Sequence, residues 1–291
     1  MPPDTIPGPR DHARYGTKPP RSTMRILAIE SSARECSVAA LDGQSGAARL
    51  ICELPVTGGR TAQALAPTIK NLLDSVDWSV AAIELVAVTV GPGSFTGLRI
   101  GVTTAKTLAY AVGAQVIGVN TLAVLADQVV NADRALWTVI DAQRQELFAA
   151  RFDGDQRCGR PPDRATLGAG SGDPRTTTTE NPPSSADREQ GTVPFPARTC
   201  TIPTHIITES TWLAQLQPGD LVTGPAVARV QSQLPPGVDA TDPAGWQPTA
   251  SATGVVGWRD YQSGRRDDLW KLVPQYYRPS AAEEKRARQH P

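Results

Sequence analysis

Residues 85–101 read LVAVTVGPGSFTGLRIG, and this stretch decides the architecture. Leu85 to Val90 runs without polar alternation, the pattern of a strand buried on both faces. Gly91-Pro92-Gly93-Ser94 breaks the strand, and a helix is predicted over 96–112. A buried strand handed to a helix through a glycine turn is the repeating unit of α/β proteins. The first N–H groups of such a helix have no intrahelical partner. Gly91, Pro92, Gly93, Ser94, Phe95, Thr96, Gly97 and Arg99 therefore form a candidate anion loop. The alternative is structural, with Ser94 or Thr96 capping the helix. No Lys follows the glycines as GK[ST] requires, which excludes a P-loop.

Along the helix, Gly97, Gly101, Ala105, Ala109 and Gly113 recur every fourth residue and make one ridge of tiny side chains. Each glycine costs about 1 kcal/mol inside a helix. Close approach of another element offsets that cost, because backbones then pack without intervening side chains. The neighbour is either part of this chain or part of another molecule, and the spacing fits both.

Outward from this unit the chain alternates between strand and helix patterns. Strands are predicted at 25–30, 35–41 and 47–54, the last two joined by the turn Asp42-Gly43-Gln44-Ser45-Gly46. A helix over 61–76 carries Leu65, Ile69, Leu72, Leu73 and Val76 at helical spacing, with Pro67 expected to bend or delay it. A strand at 115–119 leads to Asn120, a fitting N-cap for a helix over 121–131. The pattern then restarts with strands at 135–140 and 145–152. Both halves open on a strand that ends in an acid, Glu30 in the first and Asp141 in the second, which points to a duplicated α/β architecture. Structure is expected to resume at 208–216, followed by a strand at 220–223, helices near 226–233 and 250–262, and an extended segment over 272–278.

Residues 1–23 are rich in Pro and charge and are expected to be disordered, with Met24 a candidate true start. Residues 154–203, dominated by Pro, Thr, Gly, Arg and Asp, read as a disordered insertion in the second half. The expected division is thus 24–133, then 134–281 interrupted by 154–203, then a charged tail over 282–291.

Composition narrows the function classes. Lys+Arg and Asp+Glu are 29 each, so no global basic field favours nucleic acid. No apolar run approaches the ~20 residues that cross a bilayer and no signal core opens the chain, which reads as cytoplasmic with no membrane partner. Cys36, Cys52, Cys158 and Cys200 have neither CxxC nor CxxH spacing. Three histidines, two of them in polar tails, supply neither a metalloprotease ligand set nor the base of a serine protease. A small-molecule kinase stays open as an alternative, as does a peptidase of glycoprotease type. Arg144, Arg151, Arg259, Arg265 and Arg266 are the candidates for a local RNA-binding patch.

Several stretches resemble one family in order and spacing: MRILAIESS, RTAQALAPTIKNLL, GPGSFTGLRIG, QVIGVNTLAVLA, IDAQRQELFAARF and the tail VPQYYRPSAAEEKRA. They resemble the TsaB (YeaZ) family, tightly over 24–152 and loosely over 204–291. The resemblance implies an actin-like ATPase fold, ribonuclease H-like, of two duplicated subdomains with mixed sheets flanked by helices. It implies a non-catalytic scaffold in tRNA threonylcarbamoyladenosine biosynthesis, a degenerate paralogue of the transferase TsaD. The expected partners are a TsaD-like protein, a TsaE-like ATPase through the complex, tRNA indirectly, and a second copy when the chain is alone. TsaD holds a metal partly through an HxxxH pair on its first helix, and residues 60–64 here contain no histidine. Accordingly no metal and no cofactor are expected, with nucleotide contact confined to the complex interface. Glu30 and Asp141 sit where the fold places its nucleotide-site acids and are read as vestigial. The family pairs through its first two helices, which implies a seam of Leu65, Ile69, Leu72, Gly97, Gly101, Thr103, Ala105 and Thr107, with Arg99 beside it. On that reading, Gly101→Leu abolishes partner binding while the monomer stays folded.

Overall fold

The computed structural model describes residues 23–58, 60–130, 133–154 and 198–278. Most of the N-terminal extension, most of the insertion and all of the charged tail lie outside these residues.

Two five-stranded sheets carry the fold. The first comprises β1 (Met24–Glu30), β2 (Ser37–Gln44), β3 (Ala47–Pro55), β4 (Leu85–Gly91) and β5 (Gln115–Asn120), in the order β3-β2-β1-β4-β5. The second comprises β6 (Leu136–Asp141), β7 (Glu146–Asp153), β8 (Thr199–Thr208), β9 (Leu221–Thr223) and β10 (Asp239–Ala240), in the order β10-β9-β6-β7-β8. In each sheet the first strand pairs antiparallel with the second and parallel with the fourth, and the second pairs antiparallel with the third. The two halves share one topology.

The helices are α1 (Thr61–Ser75), α2 (Phe95–Val112), α3 (Thr121–Asp127), α4 (Glu209–Gln215), α5 (Val227–Val230) and α6 (Ala250–Gln262). No helix among the described residues is long and apolar enough to cross a membrane. Period-two alternation sorts the first sheet's side chains into two cores. Leu27, Ile29, Val38, Ala40, Val86 and Val88 face α1 and α2. Ile26, Ala28, Ala39, Leu41, Leu85 and Ala87 face α6. All seven residues of β4 are buried, as its continuous apolar run predicts. In the second half, Trp212 of α4, Leu216 just after it, and Val227 and Val230 of α5 cover one face, and Leu122, Leu125 and Ala126 of α3 cover the other.

The middle layer crosses the division drawn along the sequence. Helix α6 comes from the second half of the chain yet lies on the first sheet, and α3 comes from the first half yet lies on the second. The buried Asp127 of α3 pairs with Arg259 of α6 and ties the two helices together. Burial pushes the Asp127 carboxyl upward against the pull of that guanidinium.

Several element ends differ from the sequence reading. Strand β2 runs on to Gln44 and leaves only Ser45-Gly46 as the turn, because pairing with β3 holds residues 42–44 extended. Pro67 lies inside an unbroken α1. Helix α3 stops at Asp127 rather than running to 131. The insertion expected over 154–203 ends earlier: residues 199–203 belong to β8, which pairs antiparallel with β7. Pro203 hid that strand from a sequence reading. It is tolerated because β8 is at the sheet edge, where a missing N–H costs no ladder bond.

Candidate functional site

Two loops bring the signature residues together. The glycine loop after β4 is stitched to the β1–β2 loop: Ser94 N–H donates to Ser32 O at 2.7 Å, and Ser31 N–H donates to Thr89 Oγ1 at 3.2 Å. Ser94 Oγ accepts from Gly97 N–H at 3.2 Å, so Ser94 is the N-cap of α2. The capping expected of Ser94 is present. Across from it stands the β6–β7 turn. The two loops border a cleft of about 600 Å³ lined by Ser32, Arg34, Gly93, Ser94, Asp141 and Gln143, among others.

Both acids of the site are already engaged. Glu30 is fully buried, and its Oε1 accepts from Ser32 N–H (2.6 Å), Ser32 Oγ (2.6 Å) and Ala33 N–H (3.1 Å). Its Oε2 has no hydrogen-bond partner. Burial pushes the Glu30 carboxyl above the ordinary carboxylate range, and the Ser32 hydrogen bonds only partly offset that rise. Asp141 is exposed; its Oδ1 accepts from Gln143 N–H at 2.7 Å and pairs with Arg229 at 3.1 Å. Among the described residues no three His, Cys, Asp or Glu side chains gather to hold a metal ion.

The state of Glu30 gives a pH prediction. Its folded pKa exceeds the unfolded one, so the native state binds the extra proton and stability falls as pH rises from about 4.3. The fall ends at the folded pKa. Glu30→Gln keeps the Oε1 acceptor and removes the titration. Relative to wild type, the variant should therefore gain stability as pH rises, whatever constant offset the amide adds. Urea unfolding from pH 4 to 8 measures this. A stability difference flat across that range would refute it.

Gln143, Arg144 and Gln145 all have φ near +60°. Three consecutive non-glycine residues in the left-handed region cost ~1–2 kcal/mol each. The turn is held by Ala142 N–H to Glu146 O, Glu146 N–H to Gln143 O and Glu209 N–H to Gln145 O. Nothing in the residue types at 143–145 signals this conformation.

The small-residue ridge faces inward. A Cβ on Gly97 would lie 2.1 Å from Ser31 O, and one on Gly101 2.0 Å from Ser31 Oγ. Ala105 is in the core, as are Leu65, Ile69 and Leu72 on α1. These six residues are not available to a partner, which corrects their assignment to the seam: helical spacing marks the buried face as readily as a binding face. Gly113 is not part of the ridge either; it is the left-handed C-cap of α2, with φ 68°.

Of the predicted seam, Thr103, Thr107 and Arg99 are exposed. Arg99 stacks on Phe95, its guanidinium carbon 3.9 Å from the ring centre, and its Nε donates to Tyr276 Oη at 2.9 Å. Tyr276 belongs to a strap, residues 268–278, that runs along α2. Lys106 Nζ donates to the carbonyls of Trp270 (3.2 Å) and Leu272 (2.9 Å). Tyr110 meets Trp270 edge-on at 5.5 Å, and both rings are largely exposed, at 56% and 69%. With Phe95, Val273 and Tyr276 they make an outward strip of large apolar side chains. Sequence reasoning missed the strap's role. Its only signal was aromatic residues in a segment with no periodic face.

Four of the five arginines named for an RNA patch have partners within the chain. Arg259 pairs with Asp127, Arg265 with Asp260 and Asp267, and Arg151 lies near Asp153 and Asp220. Arg266 lies over the Tyr261 ring.

Two copies of one mixed-sheet topology, packed around a central helix layer with a cleft between a glycine loop and an acidic turn, define an actin-like, ribonuclease H-like α/β protein. Solved structures share the fold. A protein from Pseudomonas aeruginosa described as similar to peptidase YEAZ superimposes with a TM-score of 0.62 at 20% identity, covering 88% of this chain and 100% of that one. YeaZ from the same organism gives 0.61 at 20% identity, over 87% and 99%. Residues 57–161 match the family model described as TsaD: tRNA N6-adenosine threonylcarbamoyltransferase. The Escherichia coli tRNA threonylcarbamoyladenosine biosynthesis protein TsaB is 35% identical over 46% of this chain and 57% of its own length. Its Bacillus subtilis counterpart is 32% identical over 44% and 55%. The matched region thus spans little more than half of those relatives. Over the matched region the chain is similar to TsaB proteins, and its fold is that of YeaZ.

Proposed function

We propose that this chain is a non-catalytic scaffold in the biosynthesis of N6-threonylcarbamoyladenosine in tRNA. In this reading it works in the cytoplasm and binds a TsaD-like transferase through the outer side of α2. The pair takes up a TsaE-like ATPase, tRNA is reached through the transferase, and any nucleotide is met only at the complex interface. Alone, the chain pairs with a second copy over the same surface.

The observation that carries the reading is the strip Phe95, Tyr110, Trp270, Val273 and Tyr276, which leaves large side chains in water beside the polar Thr103 and Thr107. Exposed aromatic residues in a contiguous patch mark protein interaction sites. The cleft supports the same reading from the other side, since Glu30 is folded inward and Asp141 is held by Arg229. Mixing the purified chain with the purified TsaD-like protein of the same organism tests the proposal. A stable complex is expected on size exclusion, and no ATP turnover by the chain alone. Turnover by the isolated chain, or separate elution of the two proteins at micromolar concentration, would overturn it.

A further inference from the structure

The strap does more than cover α2, because its last four described residues pass from one half of the molecule to the other. Up to Gln275 it belongs to the first half. Leu272 is buried in the core beside Val90, and Gln275 N–H donates to Val90 O at 2.7 Å. The fit is close: a Cβ on Gly91 would lie 2.8 Å from Gln275 O. Three residues later the contacts are to the second half. Arg278 Nη1 donates to Ala142 O at 2.6 Å, and Nη2 pairs with Glu146 at the base of the β6–β7 turn. Between these anchors, Tyr277 Oη accepts from Asn120 Nδ2 (3.0 Å) and donates to Gln275 Oε1 (3.1 Å), while its ring sits 6.0 Å from Phe148 of β7. Asn120 Nδ2 also donates to Thr204 Oγ1 of β8.

We propose that Gln275–Arg278 is a latch that sets the width of the cleft between the two halves. Three residue steps span at most about 10 Å, so the tether has little slack while both ends are fixed. Arg278 and Phe148 also line the cleft itself, which puts the latch at its mouth. A further tie between the halves, Asp127 with Arg259, lies in the central helix layer and acts as the pivot. Releasing Arg278 leaves that pivot intact and lets the second sheet swing away. The Arg278 contact is part-exposed and charge-assisted, which makes it a tie that can open without unfolding either core. The latch is built from intramolecular contacts alone and is independent of the partner proposed above.

Spin labels on Asn71 of α1 and Ser232 after α5, both exposed, report the separation of the halves. Cys52, Cys158 and Cys200 are replaced by serine in this background. The wild-type latch gives one narrow distance distribution. Arg278→Ala is expected to add a longer-distance population, with the open form raised roughly tenfold or more by loss of a charge-assisted pair. Tyr277→Phe, which keeps the ring and loses the hydroxyl, moves the distribution the same way by less. Arg229→Ala breaks ion pairs inside the second half only and leaves it unchanged. Circular dichroism identifies any variant that fails to fold; should Arg278→Ala be such a variant, Tyr277→Phe carries the test. Distributions of folded latch variants that superimpose on wild type would overturn the proposal.

Discussion

A Gly97→Ala protein is expected to be less stable than wild type, although alanine is the better helix former by about 1 kcal/mol. The sign is the test. On a helix face open to solvent or to a partner, the substitution would stabilise the isolated chain by that amount. Here the added methyl would lie 2.1 Å from Ser31 O and 3.3 Å from Ser31 C, both backbone atoms of the loop that also carries the Glu30 hydrogen bonds. No rotamer relieves a Cβ, so α2 or the β1–β2 loop must move. Gly97→Leu should lose the native fold. Overpacked cores cost about 1–3 kcal/mol, and a clash with backbone exceeds that range within a total of about 5–15 kcal/mol. Gly101→Leu should behave likewise, since its Cβ would meet Ser31 Oγ at 2.0 Å and Ser31 Cβ at 3.0 Å. Thermal and urea unfolding decide the matter. A Gly97→Ala chain melting at or above the wild-type temperature would mean that the ridge is not packed against Ser31. These outcomes replace the expectation that Gly101→Leu leaves a folded monomer unable to bind.

The ridge also marks where sequence reading stops. Tiny residues at every fourth position demand a close neighbour, and that much was legible. Which neighbour was not, because Ser31 lies 66 positions before Gly97 and nothing in a serine announces contact. The strands were readable where one physical rule acted alone: β1 and β4 are apolar because both their faces are covered, and Asn120 caps α3 as its side chain suggests. Edge strand β8 was not readable, since half its residues meet water and Pro203 interrupts it. The duplication was visible in Glu30 and Asp141 closing equivalent strands, but the exchange of α3 and α6 between sheets was not. A helix's apolar stripe says that it must be covered and leaves open by which sheet. The latch eluded the sequence for the same reason. Its contacts join Arg278 to Glu146 and Tyr277 to Asn120, pairs far apart in the chain with no local pattern to connect them.

The outer side of α2 gives the second large effect. Tyr110→Ala and Trp270→Ala are each expected to weaken binding of the TsaD-like partner by about 2 kcal/mol, roughly 30-fold in Kd. The rings are 56% and 69% exposed in the isolated chain, so truncation should shift stability by no more than about 1 kcal/mol, less than the expected loss in binding. This separates the two outer residues from the ridge beneath them, where the loss is in folding. Because the rings touch at 5.5 Å, the double variant should cost less than the sum of the singles if the partner buries them as one unit. Arg99→Ala acts through a different route. It unpins Tyr276 from Phe95, so binding weakens by loss of a preorganised strip rather than by loss of a buried ring. Leu50→Ala on the exposed edge strand β3 serves as the control: it also removes an exposed apolar side chain, but away from α2, and should leave affinity unchanged. Calorimetric titration of each folded variant against the TsaD-like protein reads these differences. Wild-type affinity in the Tyr110 and Trp270 variants, or an equal loss in the Leu50 variant, would move the docking surface off α2 altogether.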